Sequence, residues 1–413
     1  MKVAVIGGGP AGIMAAAGAA SLGADVLLIE QNSYLGKKMG ITGKGRCNIT
    51  NACDIRDFIA NIPINGKFMH SAFYAFSNDD MINLLNSYGV ETKIERGNRV
   101  FPVSDKAKTV VDALKAYAKD SGVRAICDKV LAIKKLENGF YLKLEKRGKL
   151  ISDKVIIATG GASYPLTGST GDGYKFAQGL GHTIITPTPS LVPLTTEGDI
   201  TKKLMGLSLK NISIKITDEN NKKLYEDFGE MLFTHFGVSG PVILSASSHL
   251  RDFNGRKYTL SIDLKPALDE EALDKRILRD FSAELNRDFV NSLDELLPKK
   301  LIPVIIKLSG IDERKKVRDI TKAERLNLVH LLKNFTLILN GTRPIGEAII
   351  TSGGVSVKEI NPKTMESKLV DGLYFAGEVI DVDAYTGGFN LQIAYSTGHL
   401  AGTSAGKDEN YDY

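Results

Sequence analysis

Cysteine is scarce in this 413-residue sequence, which contains only Cys47, Cys53 and Cys127. None of them has a CxxC or zinc-site spacing, and so odd and sparse a set predicts a reducing compartment without disulfides. Long apolar runs are also missing, since no stretch approaches the ~18 residues of a membrane span. The first residues run into glycine where a signal peptide would continue its apolar core. We therefore expect a cytoplasmic protein with no membrane partner.

Net charge is low as well, because 53 Lys and Arg face 48 Asp and Glu, leaving +5 and a pI near 8.8. This is short of the charge typical of nucleic-acid-binding proteins. Residues 299–333 contain ten Lys and Arg, but acids at positions 312, 313, 319 and 324 intersperse them. The pattern favours a solvated helical surface over an RNA-binding one and argues against a nucleic-acid partner.

Glycine, by contrast, is abundant: 41 of the 413 residues are glycine, almost a tenth, whereas ~7% is usual. Gly7, Gly9 and Gly12 form a G-x-G-x-x-G set between an apolar strand-like run (residues 2–6) and an Ala-rich helical one. Such glycines permit a tight turn, backbone approach to a pyrophosphate, and close packing of helix on strand. Glu30 ends the next predicted strand, where a carboxylate accepts hydrogen bonds from a ribose diol and repels a 2′-phosphate. This βαβ unit predicts a dinucleotide site that excludes NADP.

Three further segments favour FAD over NAD at that site. Residues 156–161 (IIATGG) predict a strand that enters a glycine turn, and residues 374–378 (YFAGE) end a strand with an acid placed for a ribityl hydroxyl. Gly387 and Gly388 begin a helix whose N–H groups could face the flavin pyrimidine. NAD needs none of this second set, whereas FAD is long enough to be held at both ends.

Periodicity predicts the remaining organisation. Helices are expected in residues 66–88 and 107–121, and consecutive short strands with hairpin turns in 123–157. Antiparallel strands are expected over 191–264 and charged helices over 269–333, before strand character returns at 335–344. The chain therefore predicts a βαβ-initiated domain, interrupted by an insertion and completed by the C-terminal part.

Several segments resemble one family of flavoproteins. They include GGGPAGIMAA, GKKMGITGKGRCNITN, ATGGASYPLTGSTGDGY, TSGGVSVKEINPKTMESK and LYFAGEVIDVDAYTGGFNLQIAYSTG, and with RVFPVSDKA and THFGVSGP they span residues 7 to 398. The sequence is similar to the BaiN/YhiN-type FAD-dependent oxidoreductases, which are related to the glutathione-reductase-like FAD fold and include aminoacetone oxidase-like members.

The resemblance implies an α/β fold: a Rossmann-like FAD-binding domain (1–189 and 343–413) interrupted by an inserted antiparallel β-rich domain (190–266) and a helical subdomain (267–342). It also implies that a cationic, glycine-rich loop contacts FAD and that Glu378 and Asp381 lie near the ribityl chain. With the glycine motifs, the expected FAD contacts are Gly7, Gly9, Ala11, Gly12, Glu30, Gln31, Lys37, Lys38, Arg46, Cys47, Asn48, Val130, Ala158, Thr159, Gly160, Gly161, Gly377, Glu378, Asp381, Gly388, Phe389 and Asn390.

One of these positions, Cys47, and one residue outside the set, Arg99, have competing interpretations. Cys47 beside Arg46 is either an activated thiol or, the preferred interpretation, a small buried residue. Arg99 is either a structural ion-pair partner, which we prefer, or a clamp for a substrate carboxylate.

Activity is implied by the family more than by single residues. Its members are linked to reduction of conjugated double bonds in oxo-bile acids and to aminoacetone oxidation, so a small-molecule enone reductase and an amine-type oxidase are both expected alternatives. An FAD-bound RNA-interacting protein is the third. Residues 168–173 (GSTGDG) follow a turn rather than a strand, so no dedicated NAD(P)H site is expected; either NADH or NADPH binds transiently, or the electrons come from the substrate itself or another carrier. No histidine spacing predicts a metal site, and the oligomeric state is open, a homo-oligomer included.

The catalytic candidates are Tyr164, His235, Arg343 and Tyr385, because each lies in a turn bounded by glycine or proline. Reduction of a double bond needs a proton donor and a group that holds the carbonyl oxygen. Each candidate has an alternative structural role, and His235 serves equally well as a hydrogen-bonding group in a turn.

Overall fold

A computed structural model describes residues 1–250, 252–253 and 255–407. The chain divides into two compact units, one made of Met1–Ser190 with the chain from Pro344 onwards, and one made of Leu191–Arg343. Each unit has its own hydrophobic core.

The strands are β1 (Lys2–Ile6), β2 (Asp25–Glu30), β3 (Thr50–Asn51), β4 (Thr92–Glu95), β5 (Arg99–Pro102), β6 (Arg124–Cys127), β7 (Val130–Lys135), β8 (Phe140–Leu144), β9 (Gly148–Ser152), β10 (Lys154–Ile157), β11 (Ile184–Ser190), β12 (Leu194–Thr196), β13 (Ser208–Thr217), β14 (Lys223–Phe233), β15 (Gly237–Ser239), β16 (Tyr258–Asp263), β17 (Phe335–Thr342), β18 (Ile350–Val355) and β19 (Leu373–Phe375). The α-helices are α1 (Pro10–Ala20), α2 (Ile55–Ala60), α3 (His70–Ala75), α4 (Asn78–Ser87), α5 (Ala107–Asp120), α6 (Asp172–Gly179), α7 (Ile200–Lys203), α8 (Pro241–Ser247), α9 (Glu270–Ser282), α10 (Ile302–Ser309), α11 (Lys322–Lys333) and α12 (Phe389–Gly406).

A five-stranded parallel sheet organises the first unit, in the order β19-β10-β1-β2-β6. The expected βαβ start is confirmed as β1, α1 and β2, and the buried residues of β1 and β10 follow from coverage of both sheet faces. The short strands expected over 123–157 are present, and the expected hairpin turns connect β7 to β8 and β8 to β9. Strands β6 and β10 join the parallel sheet, and only β7, β8 and β9 pair antiparallel. Local periodicity predicts a strand but not its partner.

Helices α1 and α12 pack so closely that side chains are excluded from parts of their contact. A Cβ atom at Gly398 would lie 2.3 Å from the Ala11 carbonyl oxygen, and one at Gly402 would lie 2.1 Å from that of Ala15. These glycines repeat every four residues along α12, so they face α1 together. Helix α12, from the C-terminal part of the chain, thereby supports the helix that opens at the glycine turn.

The second unit contains a closed barrel of strands β12-β15-β14-β13-β16-β17, with antiparallel pairing throughout. The strands expected in 191–264 and the helices expected in 269–333 are present. The strand expected at 335–344 is present as β17, and it pairs with β12 and β16 in the barrel. Helices α9, α10 and α11 share one core with the barrel, through residues such as Ile277, Ile305 and Leu328.

Candidate FAD site

The turn after β1 has the backbone that a pyrophosphate loop requires. Gly7 has φ +104°, and a Cβ there would lie 2.4 Å from the Ala158 carbonyl oxygen. A Cβ at Gly12 would lie 1.7 Å from the Gly7 carbonyl oxygen, whereas one at Gly9 would meet nothing within 4 Å. Gly9 caps α1 and Pro10 is its first residue, so unpaired N–H groups face the open side of the turn. The backbone at Gly7 and Gly12 is therefore packed against other backbone atoms, whereas Gly9 faces open space.

An open cavity of about 1280 Å³ lies against this turn, at the carboxyl ends of β1, β2, β10 and β19. This is where ligands bind in open parallel sheets. Fourteen of the expected FAD contacts line it: Gly7, Gly9, Ala11, Glu30, Gln31, Lys37, Lys38, Val130, Ala158, Thr159, Gly160, Gly377, Glu378 and Asn390. The hydroxyl of Thr159 is buried at the wall, with no hydrogen-bond partner among the described residues. A long, phosphate-bearing ligand fits a cavity of this lining.

Glu30 organises the end of the cavity beyond β2. Its carboxylate accepts hydrogen bonds from the Gly8 N–H at 2.6 Å, and from the backbone N–H and the amide of Asn32 at 2.7 and 2.6 Å. Asn32 and Gln31 also donate to the carbonyl oxygens of Thr167 and Gly168. The carboxylate is thus held in place beside the glycine turn, and its contact with a ribose remains a prediction.

Glu378 organises the opposite end, directly after the turn that follows β19. Lys38 Nζ lies 2.8 Å from one carboxylate oxygen and donates to Ser163 Oγ at 2.7 Å. The other oxygen accepts from Ser163 Oγ and from the Thr351 N–H at 3.0 and 2.8 Å. Burial, followed by the charge of Glu378, raises the pKa of Tyr174, so this nearby phenol stays protonated. The arrangement leaves Lys38 and Glu378 able to contact a polar chain in the cavity.

The N-terminus of α12 completes the lining through Asn390 and Leu391. Asn390 accepts from the Ala384 N–H at 3.0 Å and donates to the Ala384 carbonyl at 2.8 Å. In the amide orientation that satisfies both its ends, Asn48 accepts from the Gly388 N–H and donates to the Thr50 carbonyl. Asn48 therefore positions this helix end rather than lining the cavity.

Seven more expected contacts also lie outside the lining, for identifiable reasons. Gly12 packs behind Gly7, Gly161 lies beside Thr351 and Glu378, and Gly388 packs on the Thr50 backbone. Asp381 accepts from Asn65, and Phe389 is buried with its ring edge on Phe58. Arg46 and Cys47 are the remaining two.

Arg46 and Cys47 illustrate why adjacency to glycines does not predict a ligand contact. Arg46 pairs with Glu95 and Asp105, and its guanidinium lies 4.1 Å from the centre of the Phe101 ring. Cys47 is fully buried, and burial raises the pKa of its thiol to about 12. A neutral, buried thiol is not the activated nucleophile considered from the sequence.

The four catalytic candidates fall into two pairs. Tyr164, exposed and with φ +52°, and Tyr385 belong to the first unit, although neither lines the cavity. His235 and Arg343 belong to the second unit and meet at Phe236: the His235 ring centre lies 4.9 Å from that of Phe236, and the Arg343 guanidinium lies 4.6 Å from it. Their catalytic roles remain predictions.

Sequence reasoning missed Asn32, Ser163 and Thr351, although each organises an expected contact. Their signal was weak, because a small polar residue next to glycines is equally typical of a turn. Ser163 follows the ATGG segment and Thr351 opens TSGG. Only the tertiary hydrogen bonds distinguish them from ordinary turn residues.

The parallel sheet, the glycine turn and a cavity with an acid at each end define a Rossmann-type dinucleotide-binding protein. Residues 1–404 match the family described as HI0933-like protein Rossmann domain, so the chain belongs to that family. It is an FAD-dependent oxidoreductase with a Rossmann-like FAD-binding domain, and the predicted family and fold class are confirmed.

Curated relatives match the chain over nearly its whole length. A 3-dehydro-bile acid delta(4,6)-reductase of Clostridium scindens is 32% identical, with 98% of each chain covered. A ribosomal RNA dihydrouridine synthase of Escherichia coli is 33% identical, with 95% of each covered, and one of Haemophilus influenzae is 32% identical, with 97% of each covered.

Among solved structures, a 3-ketosteroid-delta4-(5alpha)-dehydrogenase from Rhodococcus jostii RHA1 has a TM-score of 0.52 at 16% identity, covering 98% of this chain and 96% of that one. A 3-ketosteroid delta1-dehydrogenase from Sterolibacterium denitrificans has the same TM-score at 11% identity, covering 98% and 99%. At such identities the likeness concerns the fold. No helix among the described residues has the length and apolarity to cross a bilayer.

Proposed function

We propose that this protein reduces a carbon–carbon double bond conjugated to a carbonyl group, in a small oxo compound of the bile-acid type. The observation that carries the proposal is the full-length similarity to a 3-dehydro-bile acid delta(4,6)-reductase. In the reaction, the carbon β to the carbonyl gains a hydride and the α carbon gains a proton. The electrons come from NADH or NADPH, which binds transiently.

The chain's own residues have separate tasks in holding the cofactor. The N–H groups at the start of α1 bind the pyrophosphate, Glu30 binds the adenosine ribose, and Glu378 with Lys38 binds the ribityl chain. FAD, when bound, supplies hydride chemistry that no side chain can provide. The N-terminus of α12 favours negative charge near the pyrimidine edge.

Proton delivery and carbonyl binding fall to the catalytic candidates. Tyr164 and Tyr385 are the candidates in the first unit for donating the proton to the α carbon, while His235 and Arg343 remain candidates from the sequence for a proton donor and a carbonyl-binding group. Substitution of each by Phe, Phe, Asn and Gln, respectively, tests these roles through kcat, with FAD content as the control.

A second candidate substrate is the uracil base of ribosomal RNA, favoured by the two dihydrouridine synthases among the relatives. The C5–C6 bond of uracil is conjugated to its C4 carbonyl, so its reduction is the same reaction type as that of an enone. One fold and one cofactor site therefore suit both substrates.

Anaerobic mixing tests the proposal. NADH or NADPH should bleach the visible flavin absorbance, and a 3-oxo-4,6-diene steroid acid should restore it, with one of its two carbon–carbon double bonds reduced for each flavin reoxidised. Restoration by ribosomal RNA but not by the steroid would establish the second substrate. Bleaching by an amine alone, with peroxide formed on reoxidation in air, would establish the oxidase alternative and contradict the proposal.

A further inference from the structure

The hairpin of β4 and β5 presents two arginines at its exposed tip. Gly97 and Asn98 form the turn, with φ of +77° and +57°, and Arg96 and Arg99 flank it. Both arginine side chains are exposed. Arg99 Nε donates to the Arg96 carbonyl at 2.9 Å, and its guanidinium lies 5.7 Å from the Phe101 ring centre. The tip therefore carries two exposed cations, and the Arg99 side chain is held by these two contacts.

Hydrogen bonds connect this tip to the flavin end of the cavity. The buried Asn51 amide donates both to the Gly97 carbonyl at the tip and to the Gly387 carbonyl before α12, each at 3.0 Å. The Ala52 N–H also donates to the Asn98 carbonyl. Asn51 thus links the arginine tip to the segment immediately before α12, and the first turn of α12 lines the cavity.

The surrounding charges leave the tip cationic. Glu95 and Asp105 are neutralised by Arg46 and Lys93. By contrast, Lys44, Arg96 and Arg99 form no ion pair among the residues that the structure describes. Lys44 is exposed in the loop whose Gly43 approaches the same Phe101 ring. The groups named here are five cations and two acids, and Arg99 lies opposite Glu95 in the hairpin and interacts with its charge.

Water screens a single contact between an exposed cation and a small carboxylate, so such a contact adds little affinity. A polyanion behaves differently, because each neutralised phosphate releases counterions and the contributions accumulate. The planar guanidinium also matches the geometry of a phosphate. Exposed arginines at a hairpin tip are thus better suited to a phosphodiester backbone than to a small acid.

We propose that Arg96 and Arg99, assisted by Lys44, bind the phosphate backbone of an RNA whose unstacked uracil base enters the flavin end of the cavity. This inference rests on the second substrate of the proposed function and assigns it a docking surface. Uridines in loops suit such a site, since their bases can be splayed away from the backbone. The surface lies in the first unit, unlike the cationic segment 299–333 considered from the sequence.

Fluorescence anisotropy with a fluorescein-labelled RNA hairpin carrying uridines in its loop tests the surface, across a series of salt concentrations. We expect Arg96→Ala/Arg99→Ala to bind about tenfold more weakly, with a salt slope shallower by about 1.4, or ~0.7 per lost phosphate contact. Lys275→Ala/Arg279→Ala is the matched control, because it removes two exposed cations from α9 in the second unit. It should bind like the wild type.

A second variant, Lys44→Ala/Arg96→Ala, leaves the contact between Arg99 and Phe101 in place and should show the same loss. Equal affinity and slope in the wild type and both variants would overturn the inference, as would absence of wild-type RNA binding at low salt. Reoxidation of the reduced flavin by the steroid acid is measured in parallel. If neither RNA nor steroid reoxidises it, the proposed function fails, while the binding data still decide the docking surface.

Discussion

The two units of this protein differ in how their elements pack together. Leu191–Arg343 makes up more than a third of the chain but holds only eight of its 41 glycines. Its core is built from large aliphatic and aromatic side chains on barrel strands and helices. The other unit concentrates glycine at the turn after β1 and along α12, where backbones approach too closely for a Cβ. Close approach of backbones therefore determines the packing of the first unit, which we call the cofactor unit. Side-chain packing determines that of the second unit, Leu191–Arg343, which we call the barrel unit.

Gly12→Ala should break the cofactor unit most severely. The added methyl group would lie 1.7 Å from a backbone oxygen that cannot move without opening the glycine turn. We expect a loss of about 4 kcal/mol or more in the free energy of unfolding, the range of exceptional substitutions. Circular dichroism during thermal melting measures it. Gly9→Ala, which meets nothing within 4 Å, should melt like the wild type but retain less FAD. A wild-type melting temperature for Gly12→Ala would contradict the claim that close backbone approach determines the packing of the cofactor unit.

Leu260→Ala tests the barrel unit, where packing depends on side-chain volume. Leu260 on β16 is fully buried, so its truncation should cost about 2–5 kcal/mol through lost burial and a cavity. Urea unfolding measures the change, and the FAD content of folded protein should not fall. Leu278→Ala on α9, where the side chain is 40% exposed, is the control and should cost far less. Equal costs for the two leucines would show that the barrel core tolerates cavities.

Glu30→Gln should weaken FAD binding without unfolding the protein. The substitution removes the charge from a carboxylate that accepts three hydrogen bonds beside the glycine turn. Charge-assisted hydrogen bonds of this kind are worth about 2 kcal/mol, or about 30-fold in affinity. Titration of the apoprotein with FAD gives the dissociation constant. Glu30→Arg should yield FAD-depleted protein, and Glu137→Gln in an exposed turn should bind normally; full FAD retention by Glu30→Arg would refute the ribose assignment.

The smallest expected effect is a pH-dependent one on α11. Hydrogen bonds from Lys315 and from Thr321 lower the pKa of Glu324 from 4.5 to about 2. Because the pKa of Glu324 is lower in the folded protein than in the unfolded chain, its ionised carboxylate stabilises the fold at pH values above 4.5. This stabilisation is lost as the pH falls through about 2. Glu324→Gln should therefore cost about 1 kcal/mol near neutral pH and less near pH 2. Urea unfolding at the two pH values measures it, with Glu271→Gln on α9 as control.

Much of the cofactor unit was predictable because its signals are local. The strand, the glycine turn, the helix and Glu30 lie within thirty residues, and the structure confirms the βαβ unit. Glu378 was also expected, since an acid after a strand and a glycine is a local pattern. Its partners Lys38, Ser163 and Thr351 come from three other segments, and only the fold brings them to one carboxylate.

Other predictions were wrong or incomplete where contacts between residues distant in sequence determine the structure. A charged residue amid glycines suggested a phosphate contact for Arg46, yet Glu95 and Asp105 hold it elsewhere. Similarly, β17 looked like a strand from its own residues, but its partners β12 and β16 lie far away in sequence. Arg99 was interpreted as a structural ion-pair partner; in the structure it is exposed at a hairpin tip opposite Glu95, with whose charge it interacts, but it forms no ion pair among the described residues.

The sequence by itself determined that this chain has a Rossmann-like FAD-binding fold, because backbone conformation at glycines and the period of apolar residues are properties of short segments. Tertiary structure alone decided which strands share a sheet and which glycines serve α1 and α12 instead of a ligand. It also decided which exposed cations of the first unit form no ion pair within the described part of the chain. Those outcomes depend on contacts between residues distant in sequence, and such contacts form only when the whole chain has folded.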